Sequence, residues 1–314
     1  MRRFLMVPIL ALMLVISTSV AQALITPVKV LVEPALQWFP ASDGTYLAYT
    51  TNTIEQPNTA YAKVTRLSTG ATVRINAAGT EGFTGAFDPA SDKVIYQQAN
   101  FKKGLSDLYF WDLSSRSRSK VPGVNSGLWE FGPRISSTFV TFFREFKSNG
   151  VWYTGVYLSR RSNGRLTRLA FQKSSKTSWT NGNVGDRYAT WSWCNDETCY
   201  AFVYDAQTRE LKKIPSKNGR PQYGPAVDEH SDQVFFVRSG FGCGAEVFVY
   251  SAPAAHPGAD PEKVVDLPDG IDIGTLSPAA NDSGAVDLVF DWIDCKERKR
   301  DIYALRSVTP ASPT

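Results

Sequence analysis

Few residues of this chain are of a kind that does chemistry, and their spacing narrows the choices further. Histidine occurs twice, as His230 in a turn between strands and as His256 in the Pro/Ala-rich stretch APAAHPGADPE. Two separated imidazoles exclude a multi-histidine metal centre and give poor support to a Ser-His-Asp triad. No glycine loop of the phosphate-cradling kind is present, so neither a metal nor a cofactor is expected. Carboxylates remain. By the strand register developed below, Glu81, Glu130 and Asp272 stand where inner strands begin, near the mouth of a central channel. Two such carboxyls at a suitable separation would serve as acid and base on a glycoside. The commoner fate of loop carboxylates is solvation.

The elements that must position these residues follow from a repeat. Short alternating segments recur as TYLAYTT, DKVIYQQ, TFVTFFRE, RYATWSWC, DQVFFVRS and DLVFDWID. Each puts an aromatic residue at the matching place: Tyr49, Tyr96, Phe142, Trp191, Phe236 and Phe290, 45 to 54 residues apart. A second series, YAKVTRL, DLYFWDL, GVYLSRR, YAFVYDA, EVFVYSA and DIYALRS, keeps the same period. Further short segments flank each pair, with Pro40, Pro89, Pro133, Pro225 and Pro278 before the first series, at strand ends where no ladder donor is lost. Four short strands per period of about 46 residues is the pattern of a propeller blade.

The count predicts an all-β, six-bladed β-propeller with blades near 35–76, 84–122, 130–171, 180–216, 223–267 and 273–307. The last blade lacks a fourth strand, and TPVKVLVE at 26–33 is left over before the first. That N-terminal strand is expected to complete the last blade, so that no sheet edge stays open.

The repeat also orders the cysteines. Cys194 and Cys199 flank Asn195 to Thr198 in the loop joining the middle strands of the fourth blade, and Cys243 and Cys295 lie in the corresponding loops of the next two. An even count in an exported chain suits disulfides, and the expected pairs are Cys194–Cys199 and Cys243–Cys295. The same face carries large aromatics: Trp152, Tyr153, Trp193, Phe241 and Trp292 on loops, and Trp129, Trp179 and Tyr223 on connections between blades. Aromatic planes are where a sugar or protein partner docks, although most propeller aromatics pack between blades. Trp179, within SSKTSWTNGN, is the one expected to be exposed. The run CKERKRD adds Lys296, Arg298, Lys299 and Arg300, near Lys102, Lys103, Arg144 and Lys147 but also near Asp196, Glu197, Glu145, Asp294 and Glu297, so the face is mixed in charge.

The first residues, MRRFLMVPILALMLVISTSVAQA, have two arginines, an apolar run and an Ala-Gln-Ala ending, the layout of a secretory signal cleaved after residue 23. Residues 24–314 are then one propeller domain, periplasmic or secreted, with no further segment apolar enough to span a membrane. Of the formal net charge of +4, Arg2 and Arg3 supply two. The mature chain is therefore close to neutral, which argues against a nucleic-acid partner.

The segment holding Pro40, Ser42, Asp43, Gly44, Leu47, Ala48 and Tyr49 resembles the repeats of TolB-like six-bladed propellers; Pro89, Ser91 and Asp92 fit a second copy, and Pro278, Ser283 and Gly284 a loosened last one. The resemblance covers residues 26–307 and implies the fold. TolB itself looks like an α/β domain followed by a propeller, and here the propeller follows the leader directly, so no partner-binding residue carries over. The expected function is that of an exported, non-catalytic binding module holding an envelope or secreted protein, or a glycan, on one face. The alternative is a carbohydrate-active hydrolase or lyase built on Glu81, Glu130 and Asp272.

Overall fold

The computed structural model describes residues 28–31, 35–53, 56, 59–174, 178–195, 198–216, 219–228, 231–240, 245–258, 261–267, 271–280, 286–297 and 299–308. The leader, His230, Phe241, Cys243 and Arg298 lie outside the described residues. Alternating apolar segments with β-branched and aromatic residues become strands throughout. The one helical element among the described residues is a 3-10 turn at Phe101–Lys103, and no helix there is long and apolar enough to cross a membrane.

The strands come in antiparallel meanders. The first is β2 (Gln37–Ser42), β3 (Tyr46–Thr51), β4 (Tyr61–Arg66) and β5 (Thr72–Arg74), preceded by β1 (Val28–Leu31). Then come β6 (Glu81–Asp88), β7 (Lys93–Asn100), β8 (Leu105–Asp112) and β9 (Arg118–Lys120), followed by β10 (Trp129–Ile135), β11 (Phe139–Ser148), β12 (Val151–Arg160) and β13 (Leu166–Lys173). Next are β14 (Ser178–Val184), β15 (Tyr188–Cys194), β16 (Cys199–Asp205) and β17 (Glu210–Lys213), and after them β18 (Gln222–Asp228), β19 (Gln233–Ser239), β20 (Val247–Pro253) and β21 (Glu262–Asp266). The chain ends with β22 (Ile271–Ala280), β23 (Val286–Asp294) and β24 (Lys299–Val308).

Hydrogen bonding groups these strands into four sheets of four and one of eight. In the large sheet the second and third meanders join through one parallel bridge, Trp129 to Ser106. The sheets therefore number five, where the repeat predicts six blades. The arrangement is all-β and propeller-like, made of small sheets. β1 is the outer strand of the sheet of β22, β23 and β24, pairing Val28 with Ala304 and Lys29 with Tyr303.

The core lies between meanders. Apolar clusters join the first to the second (Val64, Tyr96) and the second to the third (Ile95, Phe142). Others join the third to the fourth (Phe143, Trp191), the fourth to the fifth (Val203, Phe236) and the fifth to the last (Val249, Phe290). A further cluster, with Leu47 and Tyr49 against Val289 and Ile302, joins the last back to the first. The six repeating aromatics all lie in these clusters or beside them and are fully buried, which is why their period is so regular: burying an aromatic side chain stabilises by about 1.5–3 kcal/mol.

Each inner strand is interrupted at one equivalent place by a bulge. The register shifts between Trp38 and Ala41, Thr84 and Phe87, Phe131 and Arg134, Asn181 and Val184, Tyr223 and Ala226, and Ile273 and Leu276. The first bulge residue is a glycine in five cases, Gly85, Gly132, Gly182, Gly224 and Gly274. In the first meander it is Phe39, at φ 53°, a left-handed backbone that costs a residue with a Cβ about 1–2 kcal/mol.

Candidate functional site: the axial cavities

The inner strands β2, β6, β10, β14, β18 and β22 contact one another in succession, and β22 contacts β2. They enclose two cavities, one on each side of the bulges. The upper, on the side where inner strands begin, has a volume of ≈ 180 Å³ and walls of Phe39, Phe83, Phe131, Phe143 and Trp179. The lower, where inner strands end, measures ≈ 330 Å³ and takes residues from all six: Ser42, Phe87, Ile135, Asn183, Asp228 and Ser277 among them. Arg134 is the one residue that lines both.

Arg134 is 5% exposed. Its Nε donates to the Gly182 carbonyl at 2.9 Å and its NH1 to the Pro133 carbonyl at 3.0 Å, both backbone acceptors at the bulges. The acid whose charge acts on it, Asp291, is already engaged: it accepts from Thr275 N (2.9 Å), Thr275 Oγ1 (2.6 Å) and Arg300 Nε (2.6 Å). Burial brings the Arg134 guanidinium down to about 10, against which the field of Asp291 acts. The waist thus holds two guanidiniums and one carboxylate.

The lower rim is acidic and rich in hydroxyls. Asp186 accepts from Ser137 Oγ and from Thr138 N at 2.9 Å. Burial raises its carboxyl, but hydrogen bonds from Ser137, Ser136 and Thr138 outweigh that and hold it below its ordinary value. Asp228, 7% exposed, accepts from Ser231 N at 3.0 Å and from Ser231 Oγ. Neither acid has an ion-pair partner among the described residues. Outside the rim, Asp88 is held bidentate by Arg161 at 2.7 Å on both oxygens.

The three acids expected at the channel mouth have other duties. Glu130 is fully buried, its Oε1 accepting from Arg144 Nε at 2.8 Å and from Ser126 Oγ. Burial pushes its carboxyl above the usual value, with Ser126 and Arg144 opposing. Glu81 accepts from Ala60 N at 3.2 Å, and Asp272 from Tyr223 Oη and Ile273 N. None of the three lines either axial cavity. Glu130 in particular is no solvated loop carboxylate: it sits on a strand, at a register position facing inward.

The aromatics divide by exposure. Trp152 is 51% exposed, with Lys147 Nζ 6.0 Å from its ring. Tyr153, half-buried, stacks on Phe146 and meets Phe171 edge-on, and Phe171 is 49% exposed under the Arg168 guanidinium. Trp129 packs on the exposed Phe101 at 5.0 Å. Trp193 stacks on Tyr200 and Trp292 on Tyr303. Trp179 corrects the expectation of exposure: it is half-buried against Phe143, 5.7 Å between centroids, and its indole N–H is buried with no acceptor among the described residues. Its polar neighbours in sequence gave no hint of this, because the strand turns alternate residues inward. Lys296 is exposed beside Asp294, whose Oδ1 accepts the Lys296 and Glu297 amides.

Cys194 and Cys199 are joined in a disulfide across the β15–β16 turn. Cys295 is also disulfide-bonded; Cys243, expected as its partner, lies outside the described residues. Among the described residues no three of His, Cys, Asp and Glu gather as a metal would require.

No family model matches this sequence, and no curated protein does. Solved structures do. TolB from Acinetobacter baumannii superposes with a TM-score of 0.55 at 12% identity, over 85% of this chain and 65% of that one. Oligogalacturonate lyase from Vibrio parahaemolyticus gives 0.55 at 12%, over 87% and 80%. The β-propeller domain of the Trilobed protease from Pyrococcus furiosus gives 0.53 at 12%, over 87% and 93%. At such identities the likeness is one of fold. The chain spans 65% of the length of the TolB structure.

Sequence reasoning missed Arg134 and the lower cavity. The available signal was the bulge: Phe39, Gly85, Gly132, Gly182, Gly224 and Gly274 recur every 42 to 50 residues, and just after the first four bulges Ala41, Phe87, Arg134 and Val184 line the lower cavity.

Proposed function

We propose that this chain is an exported six-bladed propeller that acts as a non-catalytic docking module and holds a protein partner on its upper end. The six-blade reading is supported by six bulged inner strands in one closed succession, and by the single bridge on which the eight-stranded sheet depends. Export is supported by the leader and by the disulfide between Cys194 and Cys199.

The observation that carries docking is the distribution of exposed apolar surface. Leu36, Phe101, Leu105, Leu128, Val151, Trp152 and Phe171 are all exposed, and by strand register all lie at the upper end; Leu67, Leu166 and Leu211 are the exposed large apolar residues of the lower hairpins. Apolar exposure gathered at one end, ringed by Lys102, Lys103, Lys147 and Lys173, marks an interaction surface. Lys296 extends the basic part of that face. The fold neighbours include enzymes by name, a lyase among them, but Glu81, Glu130 and Asp272 are each tied to structural partners here.

The test places a photo-crosslinking residue at 152 or at 67 in the mature chain, in its own host envelope, and identifies the adducts by mass spectrometry. One protein captured at 152 and absent at 67 is expected. Equal capture at both positions, or glycan alone at 152, would overturn the protein-docking reading.

A further inference from the structure

The lower cavity brings charges of both signs to one space. At its floor is a guanidinium whose hydrogen bonds go to backbone carbonyls, and the carboxylate whose charge acts on it is saturated by Arg300 and Thr275. Only the field of Asp291, which Arg300 also uses, offsets the cost of burying that charge. At the rim are Asp186 and Asp228, supported only by hydroxyls and amides. The rim alone would repel a simple anion, and the floor would repel a simple cation. Between them run Ser136, Ser137, Asn183 and Ser277, neutral groups able to donate or accept.

A molecule with one charge of each sign satisfies both ends at once. We propose that the lower cavity is a binding site for a small zwitterion, an amino acid or short peptide, whose carboxylate meets the Arg134 guanidinium and whose ammonium lies toward Asp186 and Asp228. The planar fork of arginine suits a carboxylate in a way that a lysine would not. A volume of ≈ 330 Å³ lies at the lower end of ligand pockets and admits a molecule of that size. This site is independent of docking at the upper end, since none of the exposed apolar residues named there lines the lower cavity.

The experiment is calorimetry and thermal denaturation of the mature chain against a panel of L-amino acids and dipeptides, with sodium acetate and methylammonium chloride as single-charge controls. Saturable binding with a raised midpoint is expected from at least one zwitterion and from neither control at equal concentration. Arg134→Met leaves the Gly182 and Pro133 carbonyls without their donor; it is expected to melt lower than the parent and to lose the ligand-dependent shift. Should Arg134→Met not fold, Arg134→Lys keeps the charge, and binding weakened several-fold is expected. Asp186→Asn is expected to weaken the zwitterion several-fold, with a small drop in the unliganded midpoint from its weaker bonds to Ser137 and Thr138. No binding by any panel member, acetate binding as tightly as the zwitterion, or unchanged binding in Arg134→Met and Arg134→Lys would each overturn the proposal.

Discussion

At the upper end of the inner strands the axis is walled by Phe39, Phe83, Phe131, Phe143 and Trp179 among threonines and a glutamine; at the lower end serines, an asparagine and aspartates share the wall with Phe87, Ile135, Val184 and Val227. Both walls are made by the same strands on either side of the same bulges. The bulge is what the fold requires, because it turns each inner strand and brings one meander's carbonyls against the next: Thr84 Oγ1 donates to Phe39 O at 2.7 Å, and Thr190 Oγ1 to Pro225 O at 2.8 Å. Residues beyond it are free to differ. The difference teaches that the ring constrains the waist tightly and leaves the ends to function.

Ion pairs sharpen the comparison most. At the upper end Glu130 and Arg144 are both buried, side chains 0% and 11% exposed; at the lower end Asp88 is buried but Arg161 is 27% exposed. Arg144 also donates to Val124 O and lies against Phe142 and Tyr157. Arg144→Met strands a carboxylate without its cation and is expected to cost about 3–5 kcal/mol. Arg161→Met leaves Asp88 with its Ser91 and Ala90 hydrogen bonds and should cost nearer to about 2 kcal/mol. Urea unfolding of both variants checks the order, and a larger loss in Arg161→Met would reverse the account of the two ends.

At the waist the effect depends on what a methyl group would strike. In Gly182→Ala the new Cβ would stand 2.1 Å from Pro225 O and 2.5 Å from Thr190 O, contacts with backbone that cannot yield, and a loss of about 3 kcal/mol is expected. In Gly224→Ala nothing lies nearer than 3.6 Å, and only the φ of 57° is strained, for about 1 kcal/mol. Thermal midpoints of the pair would decide whether close approach or backbone conformation governs the bulge.

The two pairs also respond to pH with opposite sign. Burial raises Asp88, but hydrogen bonds from Arg161, Ser91 and Ala90 outweigh it and the carboxyl ends below its ordinary value. Its contribution is therefore present above about pH 3.9 and lost as pH falls through the folded value. Glu130 is raised by burial, so its native state holds the proton more tightly than the unfolded chain. Its contribution is greatest below about pH 4.3 and declines as pH rises through the folded value. Asp88→Asn should flatten the acid side of the stability profile, and Glu130→Gln the decline above it. Urea midpoints across pH 2.5–7 test both, and a common direction of change would contradict the assignment.

The period was legible because the aromatics that set it are buried between meanders, where substitution is costly: Tyr49, Tyr96, Phe142, Trp191, Phe236 and Phe290 could be read directly. The N-terminal strand and the hairpin disulfide followed from the same alignment. Arg134 was not legible. In the segment EFGPRIS it reads as a surface charge after a proline, and only the bulge count turns it to the axis. The parallel bridge between Trp129 and Ser106 has no sequence signature, since it depends on how two finished meanders approach.

The smallest effect on stability is expected where function is proposed. Trp152 is half exposed on the β11–β12 turn, and Phe171 rests beside Tyr153 and Arg168. About half of each side chain stays in water on folding, so truncation loses less than at a buried position. Trp152→Ala should therefore shift the unfolding free energy by no more than about 0.5 kcal/mol, whereas Tyr49→Ala, in the closing cluster, should cost about 3–5 kcal/mol. A large loss in Trp152→Ala would show that the upper aromatics are part of the packing. A negligible loss in stability, together with a lost cross-link at the upper end in the same variant, would separate the surface that holds the ring together from the surface that meets a partner.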